Sequence, residues 1–113
     1  MVINVVNLNK LVEFSQKDSL LDTIEKRQRV KKNVLKTKKF NIVLICLESG
    51  QEIPPRSEPY EVCFYIIDGS GTFTVGEEKY DLAEGNIVFV PANVVRGIKS
   101  NKRLTLLGIQ ESH

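Results

Sequence analysis

Four side chains in this sequence have the types and placement to hold or transform a small charged molecule. Arg56, Glu58 and Tyr60 stand at alternate positions in a segment that opens at Gly50, and Arg96 closes a second segment that opens at Gly85. A guanidinium keeps its charge and only donates hydrogen bonds, so Arg56 and Arg96 are suited to a carboxylate or a phosphate. Glu58 can accept a proton or pair with an arginine, and Tyr60 can donate a hydrogen bond from a partly exposed ring, although such a ring more often packs on a rim. Nucleophile chemistry is poorly provided for. The only histidine is His113, and both cysteines, Cys46 and Cys63, lie in apolar runs, where a free thiol packs as a small hydrophobe. Without an interior histidine as base, catalysis by either thiol is not expected, and a disulfide is not favoured without an export signal.

The elements that must position these residues read as strands. Phe40–Leu47 is a β-branched, nearly continuous apolar run, which suits a strand covered on both faces or at a subunit interface. Val62–Ile67 is a second, followed by a turn at Asp68-Gly69-Ser70-Gly71 and an alternating strand, Thr72–Val75. Gly76-Glu77-Glu78 turns the chain into Lys79–Leu82, and Ile87–Val90 is stopped by Pro91. Arg96-Gly97-Ile98 leads into a turn at Lys99–Lys102 and a last strand, Arg103–Ile109. Short strands with turns every ~8–12 residues indicate an all-β sandwich or barrel. Positions two or four apart on a strand share a face, so Arg56, Glu58 and Val62 are expected on one side with Phe64 and Ile66. Glu61 and Cys63 are expected on the other.

The first 35 or so residues are less regular. Val2–Leu8 reads as an edge strand, Asn9–Phe14 as one helical turn capped by Asn7 or Asn9, and Ser19–Ile24 is ambiguous. Arg29–Leu35 is expected to form a hairpin with the Phe40 strand. Half of the sixteen lysines and arginines lie between Lys26 and Lys39. With no aromatic residues interleaved for base stacking, this run reads as a solvated hairpin edge that discourages sheet-to-sheet pairing rather than a phosphate-binding patch. A net charge of +2 on 113 residues implies neither a nucleic-acid nor a membrane partner. No apolar run approaches the ~20 residues of a bilayer span, and Met1–Val5 lacks the pattern of a secretory signal. The expected location is the cytoplasm. The length suits one domain over 1–113, with an arm over about 1–35 and a barrel over about 36–110.

The glycine framing carries a resemblance. Gly50 followed by Arg56, Glu58, Val62 and Gly69, and then Gly85 followed by Pro91, Asn93 and Arg96, have the spacing of the two motifs of the cupin superfamily, in its small single-domain form. In those motifs the first module carries His-x-His and a glutamate, and the second carries Pro-x-Gly and a histidine. Here Arg56 and Glu58 fall at the histidine positions, Val62 at the glutamate, Asn93 at the glycine and Arg96 at the last histidine. The resemblance covers about residues 40–110. It implies a double-stranded β-helix, a jelly-roll-like barrel, with a short irregular or helical N-terminal segment. It also implies that Arg56, Glu58, Tyr60 and Arg96 face the barrel interior or its mouth, with Val62 and Phe64 lining the pocket.

Transition metals need imidazole, thiolate or carboxylate donors in a closed set, and one carboxylate among arginines does not provide it. A metal-free barrel with no cofactor is therefore expected. Two readings of the charged set stand side by side. In one, Glu58 sits between two guanidiniums as a salt-bridge plug, a costly arrangement unless well paired. In the other, the barrel mouth is a pocket for a small carboxylate or phosphate. An alternative is a metal-independent isomerase or epimerase using Glu58 and Tyr60, although a carboxylate already engaged by guanidiniums makes a poor proton acceptor. A further alternative is a non-catalytic interaction module. A homodimer is expected in each case, since cupin barrels commonly pair through their sheets and the apolar strand positions exceed what a small monomer exposes.

Overall fold

The computed structural model describes residues 4–15 and 29–113. Seven strands follow in order: β1 (Val30–Lys36), β2 (Phe40–Leu47), β3 (Glu52–Ser57), β4 (Val62–Val75), β5 (Glu78–Ala83), β6 (Ile87–Val90) and β7 (Val95–Glu111). All pairings are antiparallel. β4 and β7 run alongside each other for most of their length, from Val62 opposite Gln110 to Val75 opposite Arg96. The first half of β4 also pairs with β6 and its second half with β5. The end of β7 pairs with β2, which carries β1, and the start of β7 pairs with β3.

Two expected turns are instead corners in long strands. Asp68–Gly71 and Lys99–Lys102 lie inside β4 and β7, where the register shifts between Ile66 and Gly71. Bulges of this kind bend a strand without ending it. Gly69 makes the corner sterically feasible. It sits at φ +89°, and a Cβ there would strike the carbonyl oxygen of Arg103 on the facing strand. At Gly71 a Cβ would come within 2.7 Å of the Lys99 carbonyl oxygen. Gly50 and Gly85 take positive φ at their turns, and Asn93, at the position of a motif glycine, does so at φ 67°. Asparagine is among the few residues that tolerate this region.

The core gathers the inward positions of β2 (Val43, Ile45, Leu47), of β4 (Val62, Phe64, Ile66, Phe73) and of β7 (Ile98, Leu104, Leu106), closed by Val90. β2 is buried from Val43 to Leu47 on both faces, which explains its unbroken apolar run. The expected strand at Val2–Leu8 is absent over residues 4–7. A 3-10 helix, Leu8–Lys10, follows, capped by Asn7, whose side chain accepts from the Asn9 amide at 3.0 Å. Residues 2 and 3 of that expectation, and all of Ser19–Ile24, lie outside the described residues. The N-terminal segment is fastened to the sheet by Glu13 with Lys32 at 2.8 Å, by Gln51 donating to the Ser15 carbonyl at 3.2 Å, and by Phe14 under Arg103 at 4.6 Å. No helix among the described residues is long and apolar enough to cross a membrane.

Candidate functional site

A cavity of about 60 Å³ opens where β1, β2, β3, β4 and β7 approach one another. Its floor is apolar: Ile45 from β2, Ile53 from β3, Val62 and Phe64 from β4, and Ile98 from β7. Its charged lining is Arg29, Lys31, Arg56 and Arg96 against Glu58 alone, with Tyr60 and Gln110 adding polar groups. All six residues singled out from the sequence, namely Arg56, Glu58, Tyr60, Val62, Phe64 and Arg96, therefore border one space.

Strand register explains who faces inward. Arg56 pairs with Arg96 across β3 and β7, so the two guanidiniums begin on adjacent strands. Glu58 and Tyr60 lie beyond the end of β3, in the loop before β4, and the alternation expected along one strand does not apply to them. The loop delivers them to the cavity by its own path. Pro54 and Pro55 lack amide donors and fall in the interval where the β3–β7 register shifts, an edge position that tolerates them.

Arg96 is 7% exposed. Its Nη2 donates to the carbonyl oxygens of Tyr60 at 2.7 Å, Pro91 at 3.1 Å and, at the limit of a hydrogen bond, Glu58 at 3.5 Å. Its Cζ lies 5.2 Å from the centre of the Tyr60 ring. Its Nε and Nη1 are buried without a hydrogen-bond partner. Burial holds the Arg96 pKa below the ordinary arginine value, opposed by Tyr60 and Glu58. The group stays cationic, as arginine does in proteins.

Arg56 is different in kind. Its side chain is 68% exposed at the rim, and its Nη2 meets Glu58 Oε2 at 2.7 Å. The plug in which Glu58 lies between two guanidiniums is not what forms. Among the described residues only Arg56 pairs with the Glu58 carboxylate, because Arg96 is engaged by main-chain carbonyls. Tyr60 keeps its proton more firmly than usual, chiefly through burial and secondarily through the nearby Glu58 charge, so it remains a donor at neutral pH. Its ring stacks on that of His113, with centroids 3.9 Å apart and planes at 7°.

Arg29 and Lys31 were not among the expected site residues; their segment reads from sequence as a solvated edge. Lys31 pairs with Ile45 in the β1–β2 ladder, and cross-strand partners share a face, so the basic alternation Arg29-x-Lys31 is directed toward the cavity. Burial, followed by the charges of Arg29 and Arg56, lowers the Lys31 pKa, while Glu58 raises it. The alternating basic pair was the available signal. The outer parity expected for Glu61 and Cys63 does hold: Glu61 is exposed, and Cys63 is half-buried and neighbours exposed Phe89. Both cysteines are free thiols.

The lining does not suit a divalent metal. It offers one carboxylate, already paired, plus a phenol and an amide, beside four cations. A transition-metal site needs a converging set of anionic or imidazole donors. Among the described residues no group of three or more histidine, cysteine, aspartate or glutamate side chains is placed to share an ion.

Residues 43–109 match the family model described as Cupin domain. That span is more than half of the chain, and the protein belongs to this family. Among solved structures it is similar to a Thermus thermophilus protein (23% identity, covering 97% of this chain and 98% of the other, TM-score 0.81). It is also similar to an RmlC-like cupin from Desulfovibrio desulfuricans (21%, 97% of each chain, TM-score 0.78). A third is a conserved protein of unknown function from Streptococcus pyogenes (21%, 100% and 90%, TM-score 0.77). No curated protein matches the chain. At these identities the likeness carries the fold, the double-stranded β-helix of the cupins, and not an activity.

Proposed function

We propose that this cupin barrel binds a small anionic molecule in its cavity and does so without a metal. The observation that carries the reading is the imbalance of the lining: Lys31, Arg56 and Arg96 face the one carboxylate of Glu58 around an apolar floor. Charges of one sign gathered in a concave, partly dry site raise the local concentration of the opposite ion. The buried, unpartnered Nε and Nη1 of Arg96 add donors that only an incoming acceptor, after a small side-chain shift, would satisfy.

A thermal-shift screen against isovalerate, succinate and inorganic phosphate tests it. At least one should raise the melting temperature of the wild-type chain, as any ligand of the folded state does. The double variant Lys31→Ala/Arg56→Ala, which removes two rim cations, should lose that rise. If no anion moves the transition, the binding reading falls and the barrel is better regarded as an interaction module.

The same reading includes pairing of two chains. Cross-strand register puts Phe89, Cys63 and Ile109 in one row of the outer sheet face, and Ile87, Tyr65 and Leu107 in the next. Ile87 is 65% and Phe89 52% exposed, and contiguous apolar surface of this kind usually belongs to an interface. Sedimentation at micromolar concentration should give twice the 12.8 kDa chain mass, and a monomer would contradict the pairing.

A further inference from the structure

We infer that Glu58 is an internal stand-in for the ligand: its carboxylate occupies the anion seat on Arg56, and the chain takes a carboxylic acid with an apolar body that exchanges with it. This rests on the anion-binding reading above and specifies the chemistry of that site.

The seat is defined by what fills it. Glu58 Oε2 lies 2.7 Å from Arg56 Nη2, in a lining where Lys31 responds to the charges of Arg29, Arg56 and Glu58 together. The carboxylate is thus held by Arg56, in a lining whose other charged side chains, Arg29, Lys31 and Arg96, are all cationic. Glu58 belongs to the loop between β3 and β4, outside the strand ladders, so it can swing away without breaking a strand. The loop's anchor does not depend on the carboxylate, because Arg96 fastens it through the Tyr60 carbonyl, and the Glu58 carbonyl also accepts from the Asn93 amide at 2.7 Å. A ligand group that replaces the glutamate must match its charge and planar shape.

The remainder of the cavity selects the body of the ligand. Beneath the cations lie Ile45, Ile53, Val62, Phe64 and Ile98. A hydrated phosphate would leave this floor wet, whereas a short hydrocarbon body covers it and gains the free energy of apolar burial. Carboxylate and hydrocarbon together specify a small aliphatic or aromatic acid.

Isothermal titration of isovalerate into the wild-type chain, Glu58→Gln and Glu61→Gln tests the inference, with inorganic phosphate as the comparison anion. If the Arg56–Glu58 pair is closed about four-fifths of the time, weakening it should tighten isovalerate binding about 5-fold. Glu61, a neighbouring exposed carboxylate that does not line the cavity, reports the effect of charge alone, and its variant should leave the affinity unchanged. In an Arg56→Ala background the gain from Glu58→Gln should vanish, since the seat is then gone. An affinity unchanged or weakened by Glu58→Gln, or an equal gain in Glu61→Gln, overturns the stand-in while leaving the pocket intact. Phosphate binding tighter than isovalerate overturns the assignment of an apolar acid. Absence of binding in both the wild type and Glu58→Gln, with both folded, overturns the anion pocket itself. Should Glu58→Gln fail to fold, Glu58→Ser, too short to reach Arg56, repeats the comparison.

Discussion

Arg96 holds Tyr60 twice, by a 2.7 Å hydrogen bond to its carbonyl and by a guanidinium 5.2 Å from the centre of its ring. Through the same nitrogen it reaches Pro91 at 3.1 Å, so one side chain from the start of β7 ties together the loop before β4 and the end of β6. The Arg96 side chain is thus a brace between loops. The brace also fixes where Glu58 and Tyr60 stand relative to the apolar floor.

Arg96→Ala should therefore cost far more stability than Arg56→Ala. Loss of the buried guanidinium strands two carbonyls and leaves a void, a change of about 2–4 kcal/mol. The Arg56–Glu58 pair is exposed at the arginine, and such pairs contribute less than about 1 kcal/mol. Urea unfolding of both variants checks the ranking. Arg96→Lys should recover only a small part of the loss, because an ammonium is a compact charge without the planar fork. Equal costs for Arg96→Ala and Arg56→Ala would refute the brace.

Gly69→Ala should be among the most damaging single substitutions outside the core. The backbone there is left-handed, and the new methyl would meet the Arg103 carbonyl across the corner. Strain and overpacking together suggest a loss of about 2–4 kcal/mol. Gly85→Ala shares a positive φ but meets nothing within 4 Å, so it should lose only the conformational part, about 1 kcal/mol. Thermal melts of the pair separate close approach from backbone preference.

These two glycines also show where sequence reasoning stops. Gly50, Gly69 and Gly85 were legible as the frame of the two motifs, and that spacing located the barrel. Yet nothing in Asp68-Gly69-Ser70-Gly71 distinguishes a chain reversal from a bulged corner, because both use the same residues. The outcome depends on β7 lying close enough to continue the ladder. A similar limit hid Lys31. Its partner strand β2 is apolar at successive positions from Ile42 to Leu47, so no alternation declares which face looks inward, and the inward side of β1 is set only by the register Lys31 opposite Ile45. Arg56, Glu58 and Arg96 border one cavity, and of the two readings of the set the plug of Glu58 between both guanidiniums does not form. Main-chain carbonyls compete for guanidinium donors, and they are invisible to a reading of side-chain types.

The pH dependence of anion binding should carry the signature of Lys31. Its pKa is lowered from 10.5, so its charge is lost earlier on raising the pH than that of an ordinary lysine. Isovalerate affinity should fall as the pH rises through that lowered value, with Arg29, Arg56 and Arg96 still charged. Stability should respond in the opposite sense. Between the folded pKa and 10.5 the unfolded chain binds more protons at this site than the folded one, so the Lys31 contribution rises with pH. Tyr60 and Cys46, both with raised pKa values, lose stability with pH in overlapping ranges. The Lys31 effect is therefore read as the difference between the wild type and Lys31→Gln. A variant with an unchanged pH profile of affinity would remove Lys31 from the site.

The two thiols should differ in reactivity for structural reasons. Cys46 is fully buried on β2. Its pKa is raised mainly by burial and opposed by a backbone hydrogen bond from Glu13, which places the N-terminal segment over the sulfur. Thiolate is the reactive species, so Cys46 is shielded both sterically and by protonation. Cys63, half-buried on the outer face of β4, is the accessible thiol in a single chain. A disulfide-exchange reagent added to native protein should titrate Cys63 first, and Cys46 only on unfolding or once residues 4–15 are released. Glu13→Ala, which breaks the 2.8 Å contact with Lys32, should speed Cys46 labelling without changing Cys63. Prompt labelling of both in native buffer would show that the N-terminal segment does not cover β2. Protection of Cys63 that disappears on dilution would locate it in the contact between two chains.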